Sequence, residues 1–394
     1  MRVLVLSFYY HPDLSAGSFR TTALVKALTE KLPKGAHVDV ITTLPNRYST
    51  FSSEALELET HPGLEIHRIR LSSHKSGMAD QSRAFIHFAK EVKRCVWSRQ
   101  YDLVYATSSR LMTATLGAWI ARQHKAKLYL DIRDIFVDTI NDVLPRPLAL
   151  LTKPLLSLLE RWTIKQADKV NLVSKGFKSY FDARYPYLQC SFFTNGVDVE
   201  FIEAGARVNA SNLARMPLTV LYAGNMGEGQ GLHTIIPDLA MRMRDRVIFR
   251  LIGDGGRKSS LQAALLKAGV DNVELLPPMR RDQLIQAYQA ADVLFLHLND
   301  YDAFKNVLPS KLFEYAAMGK PIWAGVTGYA AEFVRSEINN AVVFHPCDAV
   351  EAQKVFSKLS LVDAPRTEFI DKFSRTRLMQ VMTDDLLSLM REDA

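Results

Sequence analysis

Short apolar runs alternate with amphipathic stretches along the first half of the chain. The runs have the length of a strand and are rich in β-branched and large apolar residues. They occupy residues 3–10, 38–43, 64–71, 102–108, 127–133 and 169–174, and residues 192–198 close a further strand with a turn. Helical periodicity separates several of them, as at 19–32 and 111–124. This alternation predicts a mostly parallel β-sheet that is covered by helices on both faces.

The second half of the chain repeats this plan. Strand-like runs lie at 218–225, 247–256, 272–279, 292–298, 321–327 and 341–346, with helical patterns at 282–291 and 309–318. A chain of 394 residues is also too long for one ordinary core. We therefore predict an α/β fold of two Rossmann-like domains, residues 1–198 and 199–365, that face each other across a cleft. An amphipathic helical segment, 366–394, follows and can pack back on the first domain.

The composition is that of a soluble globular protein, with 48% apolar and 23% charged residues. No apolar run approaches the about 20 residues that span a bilayer. The opening stretch "MRVLVLSFYYHPD" predicts a first β-strand and not a signal peptide, because it lacks a small-residue cleavage site. Cys95, Cys190 and Cys347 are far apart and odd in number, which favours a reducing cytoplasm over a disulfide scaffold.

Charge is distributed unevenly between the two halves. Residues 1–197 contain 27 basic and 17 acidic residues, whereas residues 198–394 contain 22 and 25. A basic half can face an anionic membrane, a phosphorylated substrate or nucleic acid, or it can simply favour solubility.

The stretch "LPSKLFEYAAMGKPI", residues 308–322, carries the most specific chemistry. Pro309 suits the first turn of a helix, and the amides near Ser310 and Lys311 together with the lysine ammonium attract an anion. Glu314 follows one turn later, where its carboxylate can accept hydrogen bonds from a sugar diol. An anion site at the helix start followed by a diol site one turn later matches the order of phosphate and ribose in a nucleoside diphosphate. A surface helix with an unremarkable glutamate is the alternative.

Taken with its surroundings, this stretch resembles the nucleotide-sugar helix of family 4 of the GT-B glycosyltransferases. Five further motifs occur in the matching order: "GSFR" (17–20), "LDIRDIF" (130–136), "TNGVD" (194–198), "YAGNMGEGQGL" (222–232) and "LIGDGG" (251–256). The resemblance covers nearly the whole chain and is greatest to the bacterial subgroup that builds O-antigen, capsule and colanic-acid sugars, including fucosamine-transferase-like proteins.

The resemblance implies a donor site. Glu314 would hold the ribose hydroxyls, and the backbone from Leu308 to Lys311 would face the donor sugar and diphosphate. Gly17 would approach the diphosphate from the other domain, since a residue without Cβ allows close contact. The remaining residues that the resemblance assigns to the donor are Gly224, Asn225, Gln230, Gly253, Met279, Arg280, Asn306, Pro309 and Ser310.

The chain departs from the family pattern at three of these positions. Asn306 replaces the first glutamate of a Glu-x7-Glu pair, and Asn225 and Gln230 stand where many relatives have arginine and lysine. Two cations are thus missing from the expected diphosphate site. The candidates to replace them are Arg20, Lys305 and Lys311.

Candidate catalytic groups follow the first-domain strands. In "DIRD", Asp131 or Asp134 can orient an acceptor hydroxyl or accept its proton, and Arg133 can meet an acceptor phosphate. An internal Asp–Arg pair is the alternative reading of this motif. His11 is a further candidate hydrogen-bond donor, and Glu332 lies on the donor side.

No metal is expected, because the carboxylates of the Asp300–Asp302 triplet fit a solvated loop better than a metal site.

The helical stretches 83–99 and 146–162 combine apolar faces with basic residues. Each can lie on an anionic leaflet, and each can equally be a Rossmann helix that covers the sheet. Leucines in 146–162 exceed one face, which favours lipid contact there.

These observations predict a retaining glycosyltransferase in surface polysaccharide biosynthesis, with retention implied by the resemblance. It would transfer a hexosyl or N-acetylaminosugar group from a nucleotide diphosphate sugar, most simply UDP-linked, to a lipid-diphosphate-linked saccharide. Neither a cofactor nor a nucleic-acid partner is expected, and the predicted location is the cytoplasmic face of the cell membrane. The alternatives are a nucleotide-sugar 2-epimerase, a non-enzymatic basic binder and an NAD-dependent oxidoreductase. No G-x-G-x-x-G follows the first strand to support the last.

Overall fold

The computed structural model describes residues 1–45, 55–71, 78–108, 111–135, 137, 146–206 and 216–391, with the side chains of 78, 79, 81 and 146–151 left out. The chain divides into two compact units. The N-terminal unit comprises Met1–Asn195 and Arg375–Ala394, and the C-terminal unit comprises Gly196–Ser374.

The N-terminal unit contains an eight-stranded sheet in the order β3-β4-β2-β1-β5-β6-β7-β8. Its strands are β1 (Arg2–Leu6), β2 (His37–Thr43), β3 (Leu58–His61), β4 (Leu64–Ile69), β5 (Leu103–Thr107), β6 (Lys127–Ile132), β7 (Lys169–Leu172) and β8 (Cys190–Ser191). Among these strands, β3 alone pairs antiparallel, with β4, and all other pairs are parallel. The strand expected to end with a turn within 192–198 ends earlier: pairing stops at Ser191, and Val197 makes an isolated bridge to Ser374.

Helices cover this first sheet as the alternating pattern predicts. They are α1 (Ala16–Lys31), α2 (Met78–Val96), α3 (Leu111–His124), α4 (Arg146–Lys165) and α5 (Lys178–Arg184). Phe85, Phe88, Val92 and Val96 of α2 are buried, so this helix packs its apolar face inward.

The C-terminal unit contains a six-stranded, wholly parallel sheet in the order β11-β10-β9-β12-β13-β14. Its strands are β9 (Leu218–Asn225), β10 (Val247–Asp254), β11 (Val273–Leu276), β12 (Val293–His297), β13 (Ile322–Gly325) and β14 (Ala341–Phe344). Its helices are α6 (Val199–Gly205), α7 (Leu232–Arg242), α8 (Lys258–Ala268), α9 (Arg281–Ala290), α10 (Lys311–Ala317), α11 (Gly328–Glu337), α12 (Ala349–Phe356) and α13 (Thr367–Phe373).

The central strands of this second sheet are buried on both faces, which explains why they are largely apolar. Leu221 and Ala223 of β9 belong to one core cluster, and Val220 and Tyr222 belong to another. Alternate residues of a strand point to opposite faces, so a strand covered on both sides needs apolar residues at every position. The prediction of an α/β fold with two Rossmann-like domains is confirmed.

The final helix, α14 (Arg375–Ser388), belongs to the N-terminal unit. Its Met379, Met382 and Leu386 share a core cluster with Leu24 and Leu28 of α1. The segment predicted as one helical piece, 366–394, is therefore divided at Ser374: α13 stays with the C-terminal unit and α14 packs on α1.

Candidate functional site

The second sheet has a topological switch point between β9 and β12. From β9 the chain adds β10 and β11 on one side, and from β12 it adds β13 and β14 on the other. In open parallel sheets, ligands bind beyond the carboxyl ends of the strands at such a switch point. Two loops lie there, 226–231 after β9 and 298–310 after β12. We take this edge as the candidate donor site.

Lys311 reaches the end of β9. A Cβ built on Gly224 would lie 2.2 Å from Lys311 Nζ, so the ammonium occupies the space beside this glycine. Its Nζ also lies 5.8 Å from the centre of the Tyr222 ring. The backbone of Gly224 has φ +144°, which side-chain-bearing residues rarely adopt. Gly224 is thus required by its backbone conformation, and the end of the Lys311 side chain occupies the space beside it.

The buried Gly253 of β10 has a different reason to be glycine. A Cβ there would lie 1.8 Å from the carbonyl oxygen of Gly224 on the neighbouring strand. Lys258, the first residue of α8, donates from Nζ to the Gly253 carbonyl at 3.1 Å. Two lysine ammonium groups, those of Lys258 and Lys311, therefore lie at the adjoining ends of β9 and β10.

Asn225 and Gln230, at the positions of the two missing cations, bond to each other. The Asn225 side-chain amide donates to Gln230 Oε1 at 2.8 Å, and the backbone N–H of Gly227 donates to the same oxygen at 3.2 Å. These two neutral side chains therefore shape the loop after β9.

His297 and Asn299, at the end of β12, hold the same loop from the other side. His297 Nδ1 donates to the Gln230 carbonyl at 2.7 Å, and its Nε2 accepts the Cys347 N–H at 2.9 Å. Asn299 donates from its side chain to the Glu228 carbonyl at 3.0 Å. Burial lowers the pKa of His297 to about 4, so its imidazole is neutral at pH 7. The strand β12 thereby fixes the backbone of residues 228–230.

Glu314 lies half-buried on α10, one turn beyond Lys311. The Tyr288 hydroxyl donates to Glu314 Oε2 at 3.3 Å, and burial together with this carboxylate raises the pKa of Tyr288. Tyr315, the next residue, accepts the Ala223 N–H at 3.2 Å and ties α10 to β9. The helix that carries Lys311 and Glu314 is thus anchored to the strand at whose end they lie.

The other predicted donor residues are placed as follows. Leu308 is buried, and Met279, Asn306, Pro309 and Ser310 are half-buried. Arg280 is exposed and pairs with Asp282 at 3.3 Å. Lys305 is exposed and pairs with Asp302 at 2.6 Å, within the acidic triplet that was expected to be a solvated loop. Glu332 is also exposed.

Asp131 and Arg20 form a fully buried ion pair in the N-terminal unit. Arg20 donates to the carboxylate from Nε at 2.8 Å and from Nη2 at 3.0 Å. Tyr105 Oη and Asn171 Nδ2 donate to it at 2.9 and 2.6 Å. Burial by itself would raise the pKa of Asp131, but Arg20, Arg133 and Asn171 together outweigh burial and hold this pKa below its usual value. This is an internal Asp–Arg pair, the alternative reading of the motif, and we propose neither a catalytic role for Asp131 nor a diphosphate contact for Arg20.

Arg133 lies at the carboxyl end of β6, close to the start of α1. Its Nη1 is 4.0 Å from Asp131, and its Nη2 donates to Asn195 Oδ1 at 3.4 Å. A Cβ on Gly17 would lie 3.9 Å from Arg133 Nε. The structure thus brings Gly17 and Arg133 together. His11 and Asp134 are exposed.

One group of potential metal ligands occurs among the described residues: His37, Asp39 and Glu65. It lies at the amino ends of β2 and β4, the edge opposite to the functional loops. Arg2 and Arg99 pair with Asp39 at 2.7 and 2.9 Å, so these carboxylates already have cationic partners. The arrangement is an ion-pair network, and we assign no metal to it.

The sequence reasoning missed Tyr288, His297 and Asn299. For His297 and Asn299 the available signal was polar residues at the end of the otherwise apolar run "DVLFLHLND", where functional loops begin. Lys258 carried no comparable signal, because a lysine at a helix start is usually a surface residue.

Comparison with known proteins agrees with this architecture. Residues 17–188 match the model of the family "Glycosyl transferase 4-like domain", and residues 207–372 match "Glycosyl transferases group 1". The chain therefore contains a glycosyl transferase 4-like domain followed by a glycosyl transferases group 1 domain.

Individual relatives support the same class. The chain is 37% identical over 101 residues to WcaI of Escherichia coli (strain K12), described as a colanic acid biosynthesis glycosyl transferase. That alignment covers 25% of this chain and 24% of WcaI, so the chain spans about a quarter of that relative.

Solved structures match over the whole length. Sucrose-phosphate synthase from Thermosynechococcus elongatus has a TM-score of 0.70 at 15% identity, covering 100% of this chain and 99% of that one. Anabaena HepE, in complex with UDP and glucose, has a TM-score of 0.68 at 16% identity, covering 98% and 100%. At these identities the likeness shows the shared GT-B fold.

Proposed function

We propose that this protein is a retaining glycosyltransferase that transfers a sugar from a nucleotide diphosphate sugar to a lipid-diphosphate-linked saccharide. The observation that carries the proposal is the placement of Lys311 against Gly224 at the end of β9, with Glu314 one helical turn further on. A cation at a strand end can bind the diphosphate of a nucleotide sugar, and a carboxylate one turn further on can bind its ribose. The partial match to WcaI supports a role in surface polysaccharide synthesis.

Two lysines replace the cations that the family pattern expects at the diphosphate. Lys311 and Lys258 lie at the adjoining ends of β9 and β10, whereas Asn225 and Gln230 hold the intervening loop in shape. A lysine ammonium binds phosphate as a point charge and does not need the planar geometry that arginine imposes. Because HepE was solved in complex with UDP, UDP is the first nucleotide to test.

The chemistry follows from these roles. The bond between the sugar C1 and the β-phosphate oxygen breaks, and a bond from C1 to the acceptor oxygen forms on the same face. The proton of the acceptor hydroxyl passes to the leaving β-phosphate oxygen. Lys311 and Lys258 stabilise the negative charge that develops on the diphosphate, which is the main way a fixed site lowers such a barrier. Arg133 remains the candidate for an acceptor phosphate.

Glu314→Gln tests the donor site. It is expected to weaken binding of both uridine and UDP by about 10- to 100-fold, because hydrogen bonds to a charged acceptor contribute roughly 1.5–3 kcal/mol each. Lys311→Gln should instead weaken UDP and leave uridine unchanged, because the ammonium faces the phosphates. Isothermal titration with both ligands measures the two patterns.

Glu203→Gln is the matched control, since Glu203 is an exposed glutamate on α6 of the same unit. If Glu314→Gln binds uridine as the unmodified protein does, the carboxylate does not hold the ribose and the donor assignment is wrong. Incubation with a panel of nucleotide sugars, with and without short lipid-diphosphate acceptors, separates transfer from epimerisation. An epimerase would release a rearranged nucleotide sugar without any acceptor.

A membrane contact is the second part of the proposal. Leu155 and Leu158, three residues apart on α4, are 69% and 65% exposed, and Arg161 and Lys165 continue the same side of the helix. No helix in the described part of the chain has the length and apolarity to cross a bilayer. An exposed leucine pair with basic neighbours fits attachment to an anionic leaflet, where each buried side chain and each cation adds affinity.

Leu155→Ser/Leu158→Ser is expected to weaken binding to phosphatidylglycerol-containing vesicles about tenfold, because the apolar area available for insertion is lost. Cosedimentation measures the bound fraction. The control is Met241→Ser/Leu266→Ser, which removes two exposed apolar residues from the C-terminal unit and should leave binding unchanged. Equal binding by both double variants would rule out α4 as the contact.

A further inference from the structure

Three packed aromatic rings lie beside the candidate ribose carboxylate in the C-terminal unit. Tyr288 of α9 contacts Phe201 of α6 and Tyr315 of α10, with ring centroids 5.9 and 5.3 Å apart. The exposed fraction of Tyr288 is 1%, and all three rings belong to one core cluster. A side chain in such a close-packed core is held in one position. The Tyr288 hydroxyl therefore has a fixed place in the unit.

This hydroxyl is a hydrogen-bond donor to Glu314, whose Oε2 accepts it at 3.3 Å. Burial raises the pKa of Tyr288, and the negative charge of Glu314 raises it further. The phenol consequently keeps its proton at neutral pH and can donate to the carboxylate. Glu314 itself is only half-buried, so its end faces both the core and the solvent. A donor on a fixed ring restrains the carboxylate at this boundary.

The backbone of the helix that carries Glu314 is anchored by other contacts. Tyr315 Oη accepts the Ala223 N–H of β9 at 3.2 Å. Near the end of α10, the buried Arg366 donates from Nη1 to the Ala316 carbonyl at 3.1 Å. With the helix held by these bonds, the main freedom left to Glu314 is rotation about its own side-chain bonds. A hydrogen bond to its carboxylate acts on this remaining freedom.

The orientation of a carboxylate decides how well it accepts hydrogen bonds from a ribose diol. Its two oxygens together offer about four acceptor positions, so one bond from a tyrosine is compatible with bonds from both ribose hydroxyls. Fixing the acceptor before the ligand arrives reduces the entropy that binding costs. A site built in this way also rejects a ligand that lacks the hydroxyls, because the charged acceptor then loses its donors.

We propose that Tyr288 is a positioning residue that orients Glu314 towards the ribose and thereby sets the preference for ribonucleotides over deoxyribonucleotides. The inference deepens the proposed function and rests on it, because it takes Glu314 as the group that binds the ribose. Tyr288 lies in the core and does not touch the nucleotide. Its effect on binding passes through the Glu314 carboxylate.

Tyr288→Phe tests this role, because it removes the hydroxyl and keeps the ring. The two ligands are UDP and its 2′,3′-dideoxy analogue, which differ only in the ribose hydroxyls. UDP is expected to bind about 3- to 10-fold more weakly to the variant, whereas the affinity for the dideoxy analogue should not change. The effect is several-fold and not larger, since a 3.3 Å bond is longer than the usual about 2.8 Å of O–H···O bonds. Isothermal titration of the full-length protein measures both affinities.

Tyr101→Phe is the matched control. Tyr101 is also 1% exposed, and its hydroxyl donates to the Asp39 carboxylate of the N-terminal unit at 2.7 Å. This variant loses the same kind of buried bond and should bind both ligands as the unmodified protein does. If Tyr288→Phe weakens UDP and the dideoxy analogue by the same factor, the hydroxyl supports the unit as a whole and the positioning role is refuted.

The double variant Tyr288→Phe/Glu314→Gln separates this inference from the proposed function. If Tyr288 acts through the carboxylate, its loss should weaken UDP binding less than about twofold further in the Glu314→Gln background. A full additional loss would show that Tyr288 acts elsewhere. If Glu314→Gln weakens UDP binding and Tyr288→Phe does not, the donor site stands and the positioning role fails. Unchanged UDP binding in Glu314→Gln would overturn the donor site and the positioning role together.

Discussion

Asp131→Ala is expected to destabilise the N-terminal unit by about 3–5 kcal/mol, the usual cost of removing one partner from a buried ion pair. The substitution would leave the buried Arg20 guanidinium without its carboxylate partner. Arg133, which approaches the same carboxylate, would add a like charge nearby. It would also leave the Tyr105 hydroxyl and the Asn171 amide without their acceptor. Calorimetric unfolding of the whole chain measures the loss.

A double variant separates the ion pair from the rest of the packing. Arg20→Met/Asp131→Leu replaces both charges by apolar side chains of similar size, and such exchanges often recover most of the lost stability. We expect the double variant to unfold at a higher temperature than Asp131→Ala. If Asp131→Ala alone unfolds like the unmodified protein, the carboxylate is not a structural anchor and Asp131 is again a candidate catalytic group.

The C-terminal unit is expected to lose stability on acidification through His297. Burial lowers the pKa of this group from 6.5 to about 4, so between these values the unfolded chain takes up a proton that the folded protein does not. Stability therefore falls as pH decreases through this window, by up to roughly 3 kcal/mol for a shift of this size. Protonation would also oppose the hydrogen bond that Nε2 accepts from the Cys347 N–H.

His297→Gln should remove this contribution. A glutamine amide offers a donor to the Gln230 carbonyl and an acceptor to the Cys347 N–H but takes up no proton in this range. The change in unfolding free energy between pH 6.5 and pH 4 should thus be smaller in His297→Gln than in the unmodified protein. His345→Gln, at an exposed histidine two residues before Cys347, is the control and should keep the full pH dependence. Equal pH dependence in all three proteins would show that His297 is not held neutral.

Much of the fold could be predicted because apolar periodicity is a local signal. The helix predicted at 111–124 has the same limits in the structure, and the run at 218–225 coincides with β9. The strand Leu58–His61 was missed because its side chains are mostly exposed and polar, so the run carries no apolar pattern. The break at Ser374 was missed for the opposite reason, since the amphipathic pattern continues across it although the two sides pack on different units.

The candidate site divides in the same way. The sequence by itself determined that Lys311 and Glu314 lie one turn apart on one helix, because helical spacing is set by the backbone alone. Only the tertiary structure decided that Lys311 lies against Gly224, that Asn225 and Gln230 bond to each other, and that Asp131 pairs with Arg20, 111 residues away along the chain. Which charge meets which depends on how strands distant in sequence are ordered in a sheet, and no local pattern encodes that order.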